Sequence, residues 1–216
     1  MKEKLLKGLK WFYKSYIWLG VLLLAIDIIT KQIIMHLGTP GSQIADWGFV
    51  RINYVLNFNA AFGIGVDNPT LSRTIYLIVA GLITAGLVTY LVMKRKEMKI
   101  FIRATLIMVV TGAVGNMIDR VFYGPLQGAQ NLFSGAVVDW IDFYWVPGWV
   151  WNFNIADSCI VVAAFMLIIY IIVSEVKDYR ERNKNKVVTE NDNKKTLSKS
   201  EQEKLEAEKA DKEESK

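Results

Sequence analysis

Four long runs of apolar residues dominate the pattern of hydrophobic and polar positions along the chain. They extend from Tyr16 to Leu37, from Leu71 to Met93, from Phe101 to Ile118 and from Ile155 to Val173. Each run has roughly the 20 residues that a helix needs to cross about 30 Å of hydrocarbon. The pattern therefore predicts an all-α membrane protein with four transmembrane helices.

Basic residues flank these runs unevenly. They are frequent before the first run, in the short link between the second and third runs, and after the fourth run. The two other connections, residues 38–70 and 119–154, contain few Lys or Arg residues. Because basic residues beside membrane spans tend to stay in the cytoplasm, the sequence predicts that both termini are cytoplasmic and both long connections lie outside.

The first outer connection contains an alternating segment. From Val50 to Asn59, apolar residues at even positions alternate mainly with polar residues at odd positions. Period two is typical of a strand with one apolar and one polar face. We therefore expect a small extracytoplasmic β-element between helices 1 and 2, with its apolar face toward lipid or protein.

The second outer connection is rich in aromatic residues, which we expect to anchor it at the level of the lipid headgroups. The anchoring residues are Trp140, Phe143, Tyr144, Trp145, Trp149, Trp151 and Phe153. Its glycine-containing segment from Gly124 to Gln130 predicts a flexible excursion.

Composition supports a membrane protein and narrows the possible chemistry. Of the 216 residues, 52% are hydrophobic, which exceeds the norm for a soluble domain, and the mean hydropathy is +0.24. Cys159 is the single cysteine and His36 the single histidine. These counts exclude an intrachain disulfide and a multi-cysteine metal site, and they argue against a histidine zinc site or a Ser-His-Asp triad. We expect no metal and no cofactor.

Residues 184–216 are charged and almost without apolar groups. Their acidic and basic residues balance, so the net charge of +5 belongs to the rest of the chain and indicates no nucleic-acid-binding tail. Such a composition is typical of a solvated, disordered segment, although Ser198 and Glu201 have the spacing of a helix cap. The sequence predicts a membrane domain over residues 1–183 and a cytoplasmic tail over 184–216.

Carboxylates lie in or beside the apolar runs, at Asp27, Asp119, Asp139 and Asp157. A charge in hydrocarbon costs roughly 2.5 kcal/mol or more, so such residues usually face an internal cavity and have a function. In the predicted topology all four lie near the outer face of the membrane. Further polar residues lie at the same level, namely Lys31, Asn116, Arg120 and Asn154. An ion pathway would need polar groups at several depths, so one level favours a local chemical site.

Two carboxylates at one site of low dielectric share a proton, because both cannot ionise easily. The ionised group can take a proton from water while the protonated group hydrogen-bonds to a scissile carbonyl, which suffices for peptide hydrolysis. From the residues alone, Asp139 and Asp157 are either such a pair or a structural, water-lined pair. A small transporter or ion-coupled carrier and a non-enzymatic membrane assembly factor remain alternatives. The absence of Gly-x-Gly-Asp argues against another type of intramembrane aspartic protease.

Five sequence blocks bring these polar residues together in order. They are Asp27-Ile28-Ile29-Thr30-Lys31, Asn57-Phe58-Asn59-Ala60-Ala61-Phe62-Gly63, Thr111-Gly112-Ala113-Val114-Gly115-Asn116-Met117-Ile118-Asp119-Arg120, Val137-Val138-Asp139-Trp140-Ile141-Asp142 and Phe153-Asn154-Ile155-Ala156-Asp157-Ser158. In them the chain resembles the lipoprotein signal peptidases (signal peptidase II) of bacteria, whose blocks are D-x-x-[ST]-K, N-x-G-A-A-F, G-G-A-x-G-N-x-I-D-R, V-V-D-F-x-D and F-N-x-A-D-S. The resemblance covers about residues 10–175.

The resemblance implies a membrane aspartic endopeptidase that cleaves diacylglyceryl-modified prolipoproteins just before the lipidated cysteine. It implies that Asp139 and Asp157 are the catalytic pair. It implies substrate-binding or supporting roles for Asn57, Asn116, Asp119, Arg120, Asn154, Asp27 and Lys31. The implied partners are the diacylglyceryl-prolipoprotein substrates and membrane lipid, and the implied location is the bacterial cell membrane, with the site near the outer face. We expect a monomer that binds no nucleic acid.

Three features depart from the family pattern. Asn59 replaces a usual glycine, and asparagine is the next most tolerant residue at positive φ. Thr111 replaces the first glycine of its block, which predicts looser helix packing. The interval between Asp119 and Asp139 is longer than usual, so the loop around residues 124–135 is an insertion of unknown role.

Overall fold

Four long helices and four short strands make up the described part of the chain. The structure is a computed structural model that describes residues 15–58, 69–148 and 151–214, with the isolated positions 6, 8 and 12. The helices are α1 (Ile17–Leu37), α2 (Pro69–Lys94), α3 (Ile100–Phe122) and α4 (Ile155–Glu214). The strands are β1 (Gln43–Asp46), β2 (Arg51–Asn57), β3 (Val137–Asp142) and β4 (Asn152–Phe153), and a 3-10 turn covers Pro125–Gln127.

Each of the four helices contains a segment long and apolar enough to cross a membrane. The segments are Ile17–Leu37, Arg73–Lys94, Ile100–Phe122 and Ile155–Lys186. Only 6% of the most apolar window of α2 is buried within the protein, as expected for a helix that lipid covers. The predicted fold class is therefore confirmed. α3 runs about one turn past its predicted end at Ile118, and this turn carries Asp119 and Arg120.

The last helix continues to Glu214, through the segment predicted to be a disordered tail. By contacts, the chain divides into two compact units, one up to Leu167 and one from Ile168 onward. All nine residues implicated by the sequence lie in the first unit. The predicted domain boundary after residue 183 and the cytoplasmic location of the tail stay predictions.

Both connections predicted to be extracytoplasmic contribute to one antiparallel sheet, with strand order β1-β2-β3-β4. β2 confirms the predicted strand, and it pairs with β3 so that Val55 lies opposite Asp139. β3 and β4 add to the expected β-element. β3 has no period-two pattern in its sequence because Val137, Val138 and Asp139 are all buried in succession, so the two faces of the strand do not differ in polarity.

The sheet packs against α1 and α3 through an apolar core. The buried members of this core are Ile34, Val50, Ile52, Tyr54, Tyr123 and Val138. Three of them are even-numbered residues at the start and in the first half of the predicted alternating strand. The sequence left open whether the apolar face of β2 contacts lipid or protein, and the structure shows that it contacts protein. This packing places the sheet over the ends of α1 and α3.

The inserted loop before β3 is fastened by one side chain. Gln127 Nε2 donates to the carbonyl of Ala136 at 2.8 Å, and the N–H of Ala136 donates to Gln127 Oε1 at 2.8 Å. This reciprocal pair imitates the bonding of a neighbouring strand. The segment predicted to be a flexible excursion thus holds the residue that precedes β3.

Two of the predicted aromatic anchors bind the turn between β1 and β2. Tyr144 donates to the carbonyl of Gly48 at 2.9 Å, and Trp145 Nε1 donates to that of Phe49 at 2.6 Å. Their role at the headgroup level stays a prediction. Trp149 and the turn predicted at Asn59 lie outside the described residues.

Candidate active site

A buried ammonium group on α1 binds two carboxylates. Lys31 Nζ lies 2.8 Å from Asp27 Oδ2 on the same helix and 2.8 Å from Asp119 Oδ2 on α3, and each of these side chains is at most 1% exposed. A charge buried to this degree is tolerated only when it is paired and hydrogen-bonded. The supporting pair expected from sequence is therefore a cluster of three charges that joins α1 to α3.

The same ammonium group orients Asn116. Lys31 Nζ donates to Asn116 Oδ1 at 3.2 Å, and Asn154 Nδ2 donates to this oxygen at the same distance. Because the amide oxygen already accepts two donors, the amide nitrogen must point the other way. It donates to Asp157 Oδ1 at 2.7 Å.

The carboxylate of Asp27 also binds the start of α4. Asp27 Oδ1 accepts the N–H of Ala156, the second residue of that helix, at 2.9 Å. Unpaired N–H groups and the helix dipole both favour a negative charge there. Gly115 leaves room for this contact, since a Cβ at that position would lie 2.7 Å from Asp27 Oδ2.

A reciprocal capping interaction orients Asp157. Asn154 is the residue just before α4, and its Oδ1 accepts the N–H of Asp157 at 2.8 Å. In return Asp157 Oδ2 accepts the N–H of Asn154 at 3.3 Å. This arrangement is a capping box, in which the side chains of the first and fourth residues bond each other's backbone. The bonds that begin the helix therefore also set the direction of the Asp157 carboxylate.

β3 carries Asp139 to the same place. Asp119 Oδ2 accepts the N–H of Val138 at 3.1 Å, which fixes the strand one residue before Asp139. Asp139 Oδ1 accepts from Asn154 Nδ2 at 2.7 Å, and Asp139 Oδ2 accepts from Asn57 Nδ2 at 2.9 Å. Asn154 thus donates to the Asp139 carboxylate through its side chain and to the Asp157 carboxylate through its backbone N–H.

Burial controls the charge of Asp139, whose side chain is only 2% exposed. Desolvation, and next the neighbouring Asp157 carboxylate, raise the pKa of Asp139 to about 8, while the hydrogen bond from Asn57 lowers it. Two carboxylates this close titrate as a unit. Near neutral pH the pair therefore retains a proton.

Both aspartates line one cavity of about 590 Å³. Asn57, Asn116 and Arg120 also line it, and the remaining wall is largely apolar. That wall includes Val79 and Ile83 of α2, which are 47% and 56% exposed. Because these two side chains are exposed on a helix that lipid covers, the cavity combines a polar end with an apolar side toward the membrane.

The structure brings all nine sequence-implicated residues into one network. Arg120 joins it through a hydrogen bond from Nη1 to the backbone carbonyl of Asn116 at 3.2 Å. Asp142 is outside the network and accepts a hydrogen bond from Asn53 at 3.1 Å instead.

Sequence reasoning missed the capping box, although the Asn-x-x-Asp spacing before an apolar run was a usable signal.

Thr111, which replaces an expected glycine, packs against a small residue on the neighbouring helix. A Cβ at Gly20 of α1 would lie 2.8 Å from Thr111 Oγ1. The hydroxyl therefore occupies space that a side chain at position 20 would fill. The close approach expected from a glycine on α3 is supplied here by a glycine on α1.

The chain is similar to known proteins over most of its length. The family model described as Signal peptidase (SPase) II matches residues 19–173. The chain is similar to the lipoprotein signal peptidase of Haemophilus influenzae, with 28% identity over 80% of this chain and 94% of that protein. It is also similar to those of Symbiobacterium thermophilum, with 33% identity over 74% of this chain and 95% of that protein, and Shewanella loihica, with 34% identity over 79% of this chain and 90% of that protein.

Solved structures show the same architecture. Two structures of a bacterial membrane enzyme, obtained by the in meso method, share 28% identity with this chain. The first has a TM-score of 0.61 and covers 74% of this chain and 89% of its own. The second has a TM-score of 0.58 and covers 73% of this chain and 92% of its own.

We predict that Lys31→Met lowers the free energy of unfolding by about 3–5 kcal/mol, because it leaves two buried carboxylates without their counter-ion. The matched control is Lys94→Met, which removes an exposed pair with Glu97 at 2.8 Å and should change stability by less than about 1 kcal/mol. Unfolding of both variants in detergent micelles provides the measurement. Equal stabilities would contradict the proposed importance of the buried cluster.

Proposed function

This chain belongs to the signal peptidase II family of membrane proteases that process bacterial lipoproteins, and we propose that it cleaves diacylglyceryl-modified prolipoproteins by an aspartic mechanism. The observation that carries the proposal is that Asp139 and Asp157 line one cavity and both bond to Asn154. Cleavage occurs just before the lipidated cysteine. No metal and no nucleophilic side chain takes part.

The two carboxyl groups divide the chemistry of hydrolysis. The ionised member takes a proton from a water molecule as that water attacks the scissile carbonyl carbon, and the protonated member hydrogen-bonds to the carbonyl oxygen. The proton then passes to the leaving nitrogen as the peptide bond breaks. Asn116 and Asn154 orient the carboxylates through their amides, which keeps the pair in the geometry that the transition state needs.

The apolar side of the cavity suits a lipid-anchored substrate. Val79, Ile83 and Val161 line it and are exposed where lipid would lie. A diacylglyceryl group held in the outer leaflet can therefore diffuse sideways to the site while its signal helix lies between the spans. Asn57 and Arg120 are close enough to the aspartates to bind the substrate backbone near the cleaved bond.

The enzyme works as a monomer, with both termini in the cytoplasm and the aspartates near the outer face. The uneven distribution of Lys and Arg supports this orientation. A transporter is disfavoured, because its polar groups would lie on broken helices in paired halves, whereas this network joins the second halves of the unbroken helices α1 and α3 and the first turn of α4 to the sheet. The family assignment also disfavours a non-enzymatic assembly factor.

We expect Asp139→Asn and Asp157→Asn each to reduce prolipoprotein cleavage by about 10²–10⁴-fold, the usual contribution of a positioned acid or base. Asp142→Asn is the matched control, since Asp142 lies on the same strand and bonds to Asn53 rather than to the dyad. The measurement is cleavage of a diacylglyceryl-modified prolipoprotein by purified protein, after each variant has been shown to insert into membranes. Near wild-type turnover by either dyad variant would refute the mechanism.

The pH profile should lose activity on its alkaline side, as the dyad gives up its remaining proton. In Asn57→Ala the pKa of Asp139 should rise, because an amide that donates to the carboxylate and favours its ionised form is removed. The alkaline limb of kcat/KM should therefore move to higher pH. Asn53→Ala, on the same strand but bonded to Asp142, should leave the limb unchanged. A shift to lower pH in Asn57→Ala would contradict the assignment.

The orientation can be tested with single cysteines in a Cys159→Ala background. A membrane-impermeant maleimide should label Gln130→Cys in intact cells, because the loop before β3 lies outside. Glu97→Cys, in the link between α2 and α3, should react only after the inner membrane is permeabilised. The opposite labelling pattern would invert the proposed topology.

A further inference from the structure

A second cavity, separate from the one lined by the aspartates, lies between the first three helices. Its volume is about 620 Å³. Its lining includes Ile107 and Val110 of α3, Val21 and Leu24 of α1, and Leu91 of α2. The two cavities share none of their lining residues. The proposed chemistry therefore leaves this groove without a role.

Cations surround the end of the groove near the link between α2 and α3. Among the residues that the structure describes, Arg95, Lys96 and Arg103 line this end, and no acidic residue does. Glu97 in the same turn is paired with Lys94 at 2.8 Å, whereas neither Arg95 nor Lys96 forms an ion pair with a described carboxylate. Arg95 and Lys96 therefore carry positive charge that no described carboxylate compensates, which favours an anionic occupant at this end, the mouth of the groove.

The side chain of Arg103 also fixes the shape of this mouth. Its Nη2 donates to the backbone carbonyls of Arg95 and Met98. These bonds hold the link between α2 and α3 against the first turn of α3. The guanidinium of Arg103 and the backbone at Arg95 are thus held together at this end of the groove.

The length of the groove matches one leaflet of a bilayer. Along α3 its lining extends from Arg103 to Val114, a rise of about 16 Å at 1.5 Å per residue. Half of a hydrocarbon core is about 15 Å thick. One acyl chain with its headgroup at the cationic mouth would therefore fill the groove from end to end.

We propose that this groove binds an anionic glycerophospholipid of the cytoplasmic leaflet, with a phosphate at Arg95 and Lys96 and an acyl chain against Ile107 and Val110. The proposal rests on the membrane orientation proposed above. Basic pockets between helices on this side of a membrane suit anionic headgroups. The signal helix of a substrate fits less well, because its basic N-terminal region would meet the cations of the mouth.

The test is native mass spectrometry of the full-length protein in detergent, titrated with phosphatidylglycerol or phosphatidylethanolamine. We expect one phosphatidylglycerol to bind more tightly than phosphatidylethanolamine. Each basic residue contributes about fivefold to such binding, so the double variant R95Q/K96Q should bind phosphatidylglycerol roughly 30-fold more weakly. The double variant K177Q/R180Q, which removes two exposed basic residues of α4 outside the groove, should retain wild-type affinity.

A second pair of variants tests the acyl-chain groove without altering charge. Val92→Trp places a large side chain into the groove lining and should prevent tight binding. Leu82→Trp, at an exposed position of α2 outside both cavities, should not. Retained binding in Val92→Trp, equal affinity for the two lipids, or equal losses in R95Q/K96Q and K177Q/R180Q would each overturn the proposal.

These outcomes are independent of the proposed peptidase mechanism. Lipid binding in detergent depends neither on Asp139 and Asp157 nor on the direction in which the protein is inserted. A protein that binds the lipid but does not cleave prolipoprotein would refute only the enzymatic proposal. Cleavage without selective lipid binding would refute only the lipid site.

Discussion

The pairing of one buried ammonium group with two buried carboxylates is the constraint on which the candidate site depends. Lys31 neutralises Asp27 and Asp119, and each carboxylate has an oxygen that accepts a backbone N–H from a third element. Through Asp27 the cluster binds the first turn of α4, and through Asp119 it binds β3. The two elements that carry the proposed catalytic aspartates, β3 and α4, are thus both hydrogen-bonded to the same charge cluster.

Helix capping and the proposed catalysis use the same atoms. The side-chain oxygen Oδ1 of Asn154 accepts the N–H of Asp157 at the start of α4, while its side-chain nitrogen Nδ2 donates to Asp139. Asp157 completes the capping box and lines the cavity. The N-terminal end of the helix dipole favours a negative charge at this position. The bonds that start α4 thus also hold the side chain that the proposed dyad needs.

Much of this architecture could be predicted from the sequence, and particular residues show where prediction stops. The lengths of the apolar runs indicated the spans, and the alternation through Ile52 and Tyr54 indicated β2. β3 escaped prediction because its first three residues are buried alike. The backbone partners of Asp27 and Asp119 also escaped prediction, because every residue but proline carries an N–H group. That Asp139 and Asp157 meet followed from the family resemblance and not from any local pattern.

The contact between Asp27 and the N–H of Ala156 has a consequence for biosynthesis. Asp27 belongs to the first of the four described spans and Ala156 to the last, so α1 is synthesised before α4. Until that final span is inserted, the nascent chain has neither the carboxylate of Asp157 nor the neighbour that orients it. The proposed catalytic pair is therefore complete only after α4 has been inserted, which makes the proposed activity a property of the fully assembled membrane domain.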